Sequence, residues 1–205
     1  MTTSLDPYSI FQRAIDEHIT VIQAMSALRP ALERIASEMT RALLDGRKVL
    51  WCGNGGSAAD SQHLAAELMG RFRRERCGLP SIALTTDTSA LTAIGNDYGF
   101  DKVFERQVEA LCVPGDVLVG ISTSGNSKNV CAAMEAAGKI GAFTAALTGE
   151  GGGAMAKFAD VTLPVPSRDT ARIQEGHILC GHMLCDWVEL SVCAQKHLQT
   201  ETAAG

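Results

Sequence analysis

The chain has 205 residues, 46% of them apolar and 20% charged, and a net charge of −5. That balance suits one globular domain with a substantial core. It excludes the basic footprint of a nucleic-acid binder, and no apolar run reaches the ~18 residues a membrane-spanning helix needs.

Residues 7–45 place apolar side chains at helical spacing: Ile10, Ala14, Ile15, Ile19, Ile22 and Met25, then Leu32, Ile35, Met39 and Leu43. Pro30 is expected to split this stretch into two helices, and Gly46 to end the second. Strands are predicted near 47–52, 81–84, 116–121, 142–147 and 160–165, mostly as continuous apolar runs. Helical patterns near 57–72, 88–95, 100–110, 126–139 and 152–158 alternate with them, and a long helix fits 169–196. Buried strands alternating with helices specify an α/β fold, here a three-layer α/β/α domain on a five-stranded parallel sheet. The expected division is a single domain over 1–205, with N-terminal helices in 1–46, an α/β core in 47–168 and a C-terminal helix in 169–197. Only the tail after Gln199 looks loose. The helices of 7–45 carry more apolar surface than one thin face requires, which points to packing between subunits.

Two of the strands run into loops of Gly and Ser that precede helices. The first is Lys48-Val49-Leu50-Trp51-Cys52 into Gly53-Asn54-Gly55-Gly56-Ser57-Ala58. The second is Val117-Leu118-Val119-Gly120-Ile121 into Ser122-Thr123-Ser124-Gly125-Asn126-Ser127. Glycines let the backbone approach a ligand, and the next helix N-terminus offers unpaired N–H groups and partial positive charge. Ser57 and Ser127 are the expected N-caps, which leaves the other hydroxyls free to bind oxygen. In a parallel sheet both loops open at the carboxyl ends of the strands, so they line one crevice. Two such hydroxyl-rich cradles suit a phosphorylated polyol. The first loop also fits G-x-G-x-x-A, but no acidic residue ends a strand about 20 positions later, and no Gly-Lys-Ser/Thr of a triphosphate loop is present.

His63 and Glu67 share a helix face at i and i+4. The last helix carries Arg172-Ile173-Gln174-Glu175-Gly176-His177-Ile178-Leu179-Cys180-Gly181-His182, polar groups in otherwise apolar sequence. Periodicity selects Glu175 as the partner of His182, because i+7 nearly restores the same face, whereas Gln174 lies about 80° away. His177 reads as a packed or surface residue. Arg71, Arg73, Arg74 and Arg76 read as a solvated face, with a phosphate or subunit contact as the alternative. Cys52, Cys180 and Cys185 read as buried fillers. The seven cysteines form no Cys-x-x-Cys pair and no signal segment follows Met1, so reduced thiols in the cytoplasm are expected.

Taken together, Gly53-Asn54-Gly55-Gly56-Ser57-Ala58-Ala59-Asp60-Ser61-Gln62-His63, Ala66-Glu67-Leu68, Gly95-Asn96-Asp97, Ser122-Thr123-Ser124-Gly125-Asn126-Ser127 and Ala171-Arg172-Ile173-Gln174-Glu175 resemble the phosphoheptose isomerases. These enzymes have the sugar-isomerase (SIS) fold and make the heptose phosphate precursor of lipopolysaccharide core. The resemblance extends over nearly the whole chain. It implies an aldose–ketose isomerase that converts D-sedoheptulose 7-phosphate to D-glycero-D-manno-heptose 7-phosphate, the first step toward ADP- or GDP-heptose.

The resemblance further implies a homotetramer with sites at subunit interfaces and one Zn2+ per subunit held by His63, Glu67, Gln174 and His182. In this it replaces Glu175 by Gln174, and a helix starting close to Gln174 would reconcile the angle. Proton transfer through an enediolate needs a base and a group on the oxygen, and Glu67 and His182 are the expected pair. Ser122, Thr123, Ser124 and Ser127 are expected on the phosphate, and Asn54, Gly55, Gly56, Asn96 and Asp97 on sugar hydroxyls. Ser57, Glu67 and Gln174 complete the expected substrate contacts. A non-catalytic SIS group that binds the replication initiator lacks the carboxylate and terminal histidine that this chain keeps as Glu67 and His182. SIS transcription regulators carry a separate DNA-binding domain, whereas residues 1–45 read as packing helices.

Overall fold

The computed structural model describes residues 7–203. Helix α1 (Pro7–Ala24) is followed by a 3-10 turn over Met25–Leu28 and by α2 (Arg29–Leu44). Pro30 does not make the break. It is the second residue of α2, where a missing N–H costs no helical bond. Strands β1 (Val49–Gly53), β2 (Ser81–Ala83), β3 (Val117–Ser122), β4 (Phe143–Thr148) and β5 (Val161–Pro164) form one sheet in the order β2-β1-β3-β4-β5. Every pairing is parallel, so all five strands end on one edge. The order reverses between β1 and β3, and the crevice of such a sheet opens at that reversal. Both Ser/Gly loops leave from these two strands.

The remaining helices are α3 (Gly56–Met69), α4 (Thr88–Tyr98), α5 (Glu105–Leu111), α6 (Lys128–Ile140) and α7 (Thr170–Ala203). Four expectations change here. The helix expected over 100–110 is a 3-10 turn, Phe100–Lys102, followed by the short α5. The helix expected over 152–158 is only a 3-10 turn over Ala154–Lys157, because Gly151, Gly152 and Gly153 all take positive φ, which no right-handed helix tolerates. Finally, α3 stops at Met69 rather than 72, and α7 runs on to Ala203 through the segment expected to be loose.

Alternation along the strands builds the three layers. Val49, Trp51, Val117, Val119, Ala145 and Leu147 face one core, filled by Ile35 and Met39 of α2, Leu64 and Leu68 of α3, and Leu184 and Val188 of α7. Leu50, Cys52, Leu118 and Ala146 face the other, filled by Phe104, Val108, Val130 and Met134. Trp51 is fully buried and satisfies its indole by donating to Ser81 Oγ at 2.9 Å. Burial holds the thiols of Cys52, Cys180 and Cys185 protonated, each pushed up to about 12. Helix α1 has no fully buried residue; only Val21 and Ile22 near its end pack partly against the core, and Tyr8, Ile10, Phe11, Ile15 and Ile19 are exposed.

Candidate functional site

The first loop turns at Gly55, whose φ of 57° gives it the N-cap position of α3 with no side-chain cap. Ser57 is therefore not the cap expected of it. It is the second residue of the helix, buried, and its carbonyl accepts the Ser61 hydroxyl at 2.8 Å. In the second loop Ser127 does occupy the N-cap position of α6, but its hydroxyl makes no capping bond. It bonds Ser122 Oγ at 2.9 Å instead, with Ser124 Oγ 3.4 Å from Ser122 Oγ. Three hydroxyls thus converge at the start of a helix that has no side-chain cap, an arrangement that suits an anion. The two loops are tied by Asn54 and Asn129, whose side-chain amides exchange hydrogen bonds of 2.9 Å in both directions.

A third loop, which sequence reasoning missed, braces the second. Gly149 N–H donates to Thr123 O at 3.0 Å, Met155 N–H to Gly125 O at 2.9 Å, and Ala154 N–H to Asn126 Oδ1 at 2.9 Å. Its signal was the run Gly151-Gly152-Gly153, separated from the end of β4 by two residues.

Helices α3 and α7 run side by side in the same direction. Gln174 lies so close to Gly56 that a Cβ there would collide with its amide, Leu64 fills the space at Gly181, and His63 meets His182. The Nε2 atoms of the two histidines are 3.0 Å apart, and His63 Nε2 is 3.4 Å from Glu67 Oε1. The side chains of His63 and Glu67 are 48% and 22% exposed, so the group is open to a ligand. Phe72 stacks on His182 with ring centres 5.6 Å apart.

Gly56, Asp60, His63 and Glu67 share this face of α3 at spacings of three and four. Asp60, not anticipated as a site residue, has one buried carboxylate oxygen without a hydrogen-bond partner among the described residues. Burial pushes its carboxyl up, and the nearby His63 opposes the shift.

Gln174, not Glu175, is the residue of α7 that faces α3. Glu175 turns away to His18 at 2.8 Å and Arg172 at 2.6 Å. The proposed reconciliation is also wrong, because α7 begins at Thr170, four residues before Gln174, and Asp169 caps it through the N–H groups of Ala171 and Arg172. Asn96 and Asp97 sit exposed near the far end of α4, about 12 Å along its axis from its first residue, and hydrogen-bond each other at 2.8 Å. Among the described residues no bond links them to the rest of the site.

The basic cluster is not one solvated face. Arg71 and Arg73 are exposed, but Arg74 binds Asp186 at 2.7 Å and Arg76 is buried against Glu189.

Three or more His, Cys, Asp or Glu side chains do not form a metal-holding group among the described residues. Two imidazoles and a carboxylate nonetheless stand 3.0 and 3.4 Å apart, close to the ~3.3 Å edge of a tetrahedron with zinc–nitrogen bonds of ~2.0–2.1 Å. The spacing of these three donors suits zinc, whereas the Gln174 amide meets Gly56, about 10 Å back along α3 from His63, and is not brought to them within the chain.

His177 lies under the site, fully buried, with Nε2 3.0 Å from Thr148 O. Burial pushes its pKa down to about 4, against the Thr148 bond that would raise it. Above pH 6.5 both folded and unfolded forms are neutral, whereas below it only the unfolded chain takes the proton. Stability should therefore fall by about 2 kcal/mol between pH 7.5 and pH 5 on this account. Urea midpoints at the two pH values check it: the loss should shrink in His177→Gln, and an equal loss in that variant would assign the effect elsewhere.

The SIS domain family model matches residues 12–149. The chain is 62% identical over 162 residues to a protein of Aquifex aeolicus named phosphoheptose isomerase, covering 79% of this chain and 85% of that one. Among solved structures, the phosphoheptose isomerase of Neisseria gonorrhoeae is 49% identical with a TM-score of 0.85, covering 90% of this chain and 99% of that one. That of Francisella tularensis is 39% identical with a TM-score of 0.88, covering 91% and 100%.

Proposed function

The chain belongs to the SIS-domain family and, within it, to the phosphoheptose isomerases, and from that premise we propose that it interconverts D-sedoheptulose 7-phosphate and D-glycero-D-manno-heptose 7-phosphate. The observation that carries this reading is the parallel α3–α7 pair, which joins the anion-binding loop edge to the His63, Glu67 and His182 group. One end suits a phosphate and the other suits acid–base chemistry. His63 and Glu67 follow Gly56 by seven and eleven residues, about 10 and 16 Å along the helix axis.

The serine loop would hold the phosphate through neutral hydroxyls and helix N–H groups. Glu67 would take a proton from C1 and return it to C2, as the C1–O bond becomes the carbonyl and the C2–O bond a hydroxyl. His182 would move the hydroxyl proton between the two oxygens, so no redox cofactor is required. His63, Glu67 and His182 would hold zinc, which would supply electrophilic stabilisation of oxygen charge when bound. Incubation with sedoheptulose 7-phosphate should yield an aldose phosphate, and absence of turnover in zinc-replete buffer would overturn the reading.

Two further expectations follow. Ser124→Ala should raise KM far more than it lowers kcat, because a contact made equally in ground and transition state contributes only to binding. Equal losses in both would move Ser124 from binding to chemistry.

We also propose a tetramer of cytoplasmic subunits. The exposed apolar side chains of Tyr8, Phe11, Ile15 and Ile19 on α1 and of Trp187 and Leu190 on α7 support it, as surfaces suited to packing between subunits. Light scattering at micromolar concentration should give four times the chain mass, and a monomer would exclude composite sites.

A further inference from the structure

Directly after the face that carries Glu67, the chain makes a tight turn built around one buried carboxylate. Glu189 of α7 accepts the backbone N–H groups of Phe72 at 3.0 Å, Arg73 at 2.9 Å and Arg74 at 2.9 Å. The Arg76 guanidinium stands 3.0 Å from Oε1, the oxygen that also accepts the Phe72 N–H, and the two side chains are 6% and 0% exposed. Burial alone would raise the Glu189 carboxyl, but the three N–H groups and Arg76 together hold it below the usual carboxylate range.

Arg76 in turn closes α3. Its terminal nitrogens donate to the carbonyls of Glu67 at 2.9 Å, Leu68 at 2.9 Å and Gly70 at 3.1 Å. These belong to the last-turn carbonyls that have no partner inside the helix. The same turn delivers Phe72 to His182, with the rings inclined by only 18°, while the Arg73 guanidinium lies 5.2 Å from the Phe72 ring centre and 3.2 Å from Asp186. One charge thus reaches the site by two routes, through the backbone of Glu67 and through the ring that backs His182.

We propose that Glu189, acting through Arg76 and Phe72, is a positioning residue for the isomerisation. It fixes the turn that seats Phe72 against His182 and the helix end that carries Glu67. The proposal rests on Glu67 and His182 being the reacting pair, and a displacement of such groups by even 1 Å costs up to about 10²-fold in rate.

The test uses the full-length, zinc-supplemented protein in three variants. Glu189→Gln keeps the shape and removes the charge. Phe72→Leu removes the aromatic face, and Phe72→Tyr keeps it. Glu189→Gln and Phe72→Leu should each lower kcat about 10- to 100-fold with little change in KM, and Phe72→Tyr should recover most of the loss. A purely structural anchor would lower the melting temperature without this split.

A second readout is independent of turnover. In histidine-labelled protein the His182 ring protons should carry the ring-current shift of Phe72, lost in Phe72→Leu, kept in Phe72→Tyr and altered in Glu189→Gln. If Glu189→Gln does not fold, the Phe72 pair decides. If the wild type does not turn over the heptulose phosphate, the isomerase reading fails while the ring shifts still judge the positioning. Unchanged His182 signals in both Phe72→Leu and Glu189→Gln would overturn the proposal.

Discussion

Glu67→Gln should lower turnover by at least ~10²-fold and up to ~10⁴-fold, the range ordinarily supplied by a positioned general base. The variant keeps the size and polarity of the side chain, and its neighbours give no reason for the fold to fail. Glu67 is on the open face of α3, 22% exposed, with its carboxylate 3.4 Å from His63 Nε2. An amide at that place still accepts a hydrogen bond from the ring, but it has no basic oxygen to receive a carbon-bound proton. KM should change little, because the phosphate end is bound two to three helical turns away.

Zinc content must be measured in the same samples, since loss of a carboxylate ligand also weakens a metal site. A variant that keeps its zinc and loses turnover assigns the proton transfer to Glu67. Near-wild-type turnover in zinc-replete buffer would assign it to another group. Chelation of the wild type supplies the complementary arm: if activity survives metal removal while stability drops, the metal supports the fold and not the reaction.

The architecture was legible because its signals are local. Continuous apolar strands such as Val117-Leu118-Val119, separated by helical stretches, can only be buried on both faces of a parallel sheet. The two Ser/Gly loops were legible for the same reason, since a strand, a glycine turn and a helix follow one another in sequence.

What periodicity and composition alone could not read depends on which surfaces meet. Gln174 and Glu175 are adjacent, and helical periodicity ranks Glu175 nearer to His182. The outcome is decided by two neighbours far away in sequence. His18, joined by Arg172 of α7 itself, engages Glu175 on the α1 side, while Gly56 makes room for Gln174 on the α3 side. Arg76 was unreadable in the same way. A run of four arginines within six positions looks solvated until Glu189, more than 110 residues later, supplies a buried counter-charge.

The bracing loop was hidden by its glycines. They broke the apparent helix over 152–158 and left no periodic pattern in its place. Its role sets the second large effect.

Gly125→Ala should destabilise the fold by about 2–5 kcal/mol and raise KM for the sugar phosphate by at least about tenfold. Two costs act together. Gly125 has a φ of 65°, a region in which alanine is strained by about 1–3 kcal/mol. A Cβ there would also run into the carbonyl of Gly152 and approach Gly153 N at 3.0 Å. Neither backbone yields easily, because Gly125 N–H is bonded to Ser122 O at 3.1 Å and Gly125 O accepts from Met155 N–H at 2.9 Å. Relief of the clash must push the third loop off the second or drag Ser122, Ser124 and Ser127 out of register, and the phosphate end is where that error appears. Gly138→Ala, on an exposed face of α6 with nothing within 4 Å of the added carbon, gives the opposite sign. It should stabilise by about 0.5–1 kcal/mol through helix propensity and chain entropy. Urea midpoints of the two variants measured side by side separate loop bracing from any general effect of replacing glycine. If Gly125→Ala unfolds at the wild-type midpoint and binds phosphate esters as before, the third loop does not hold the second in place.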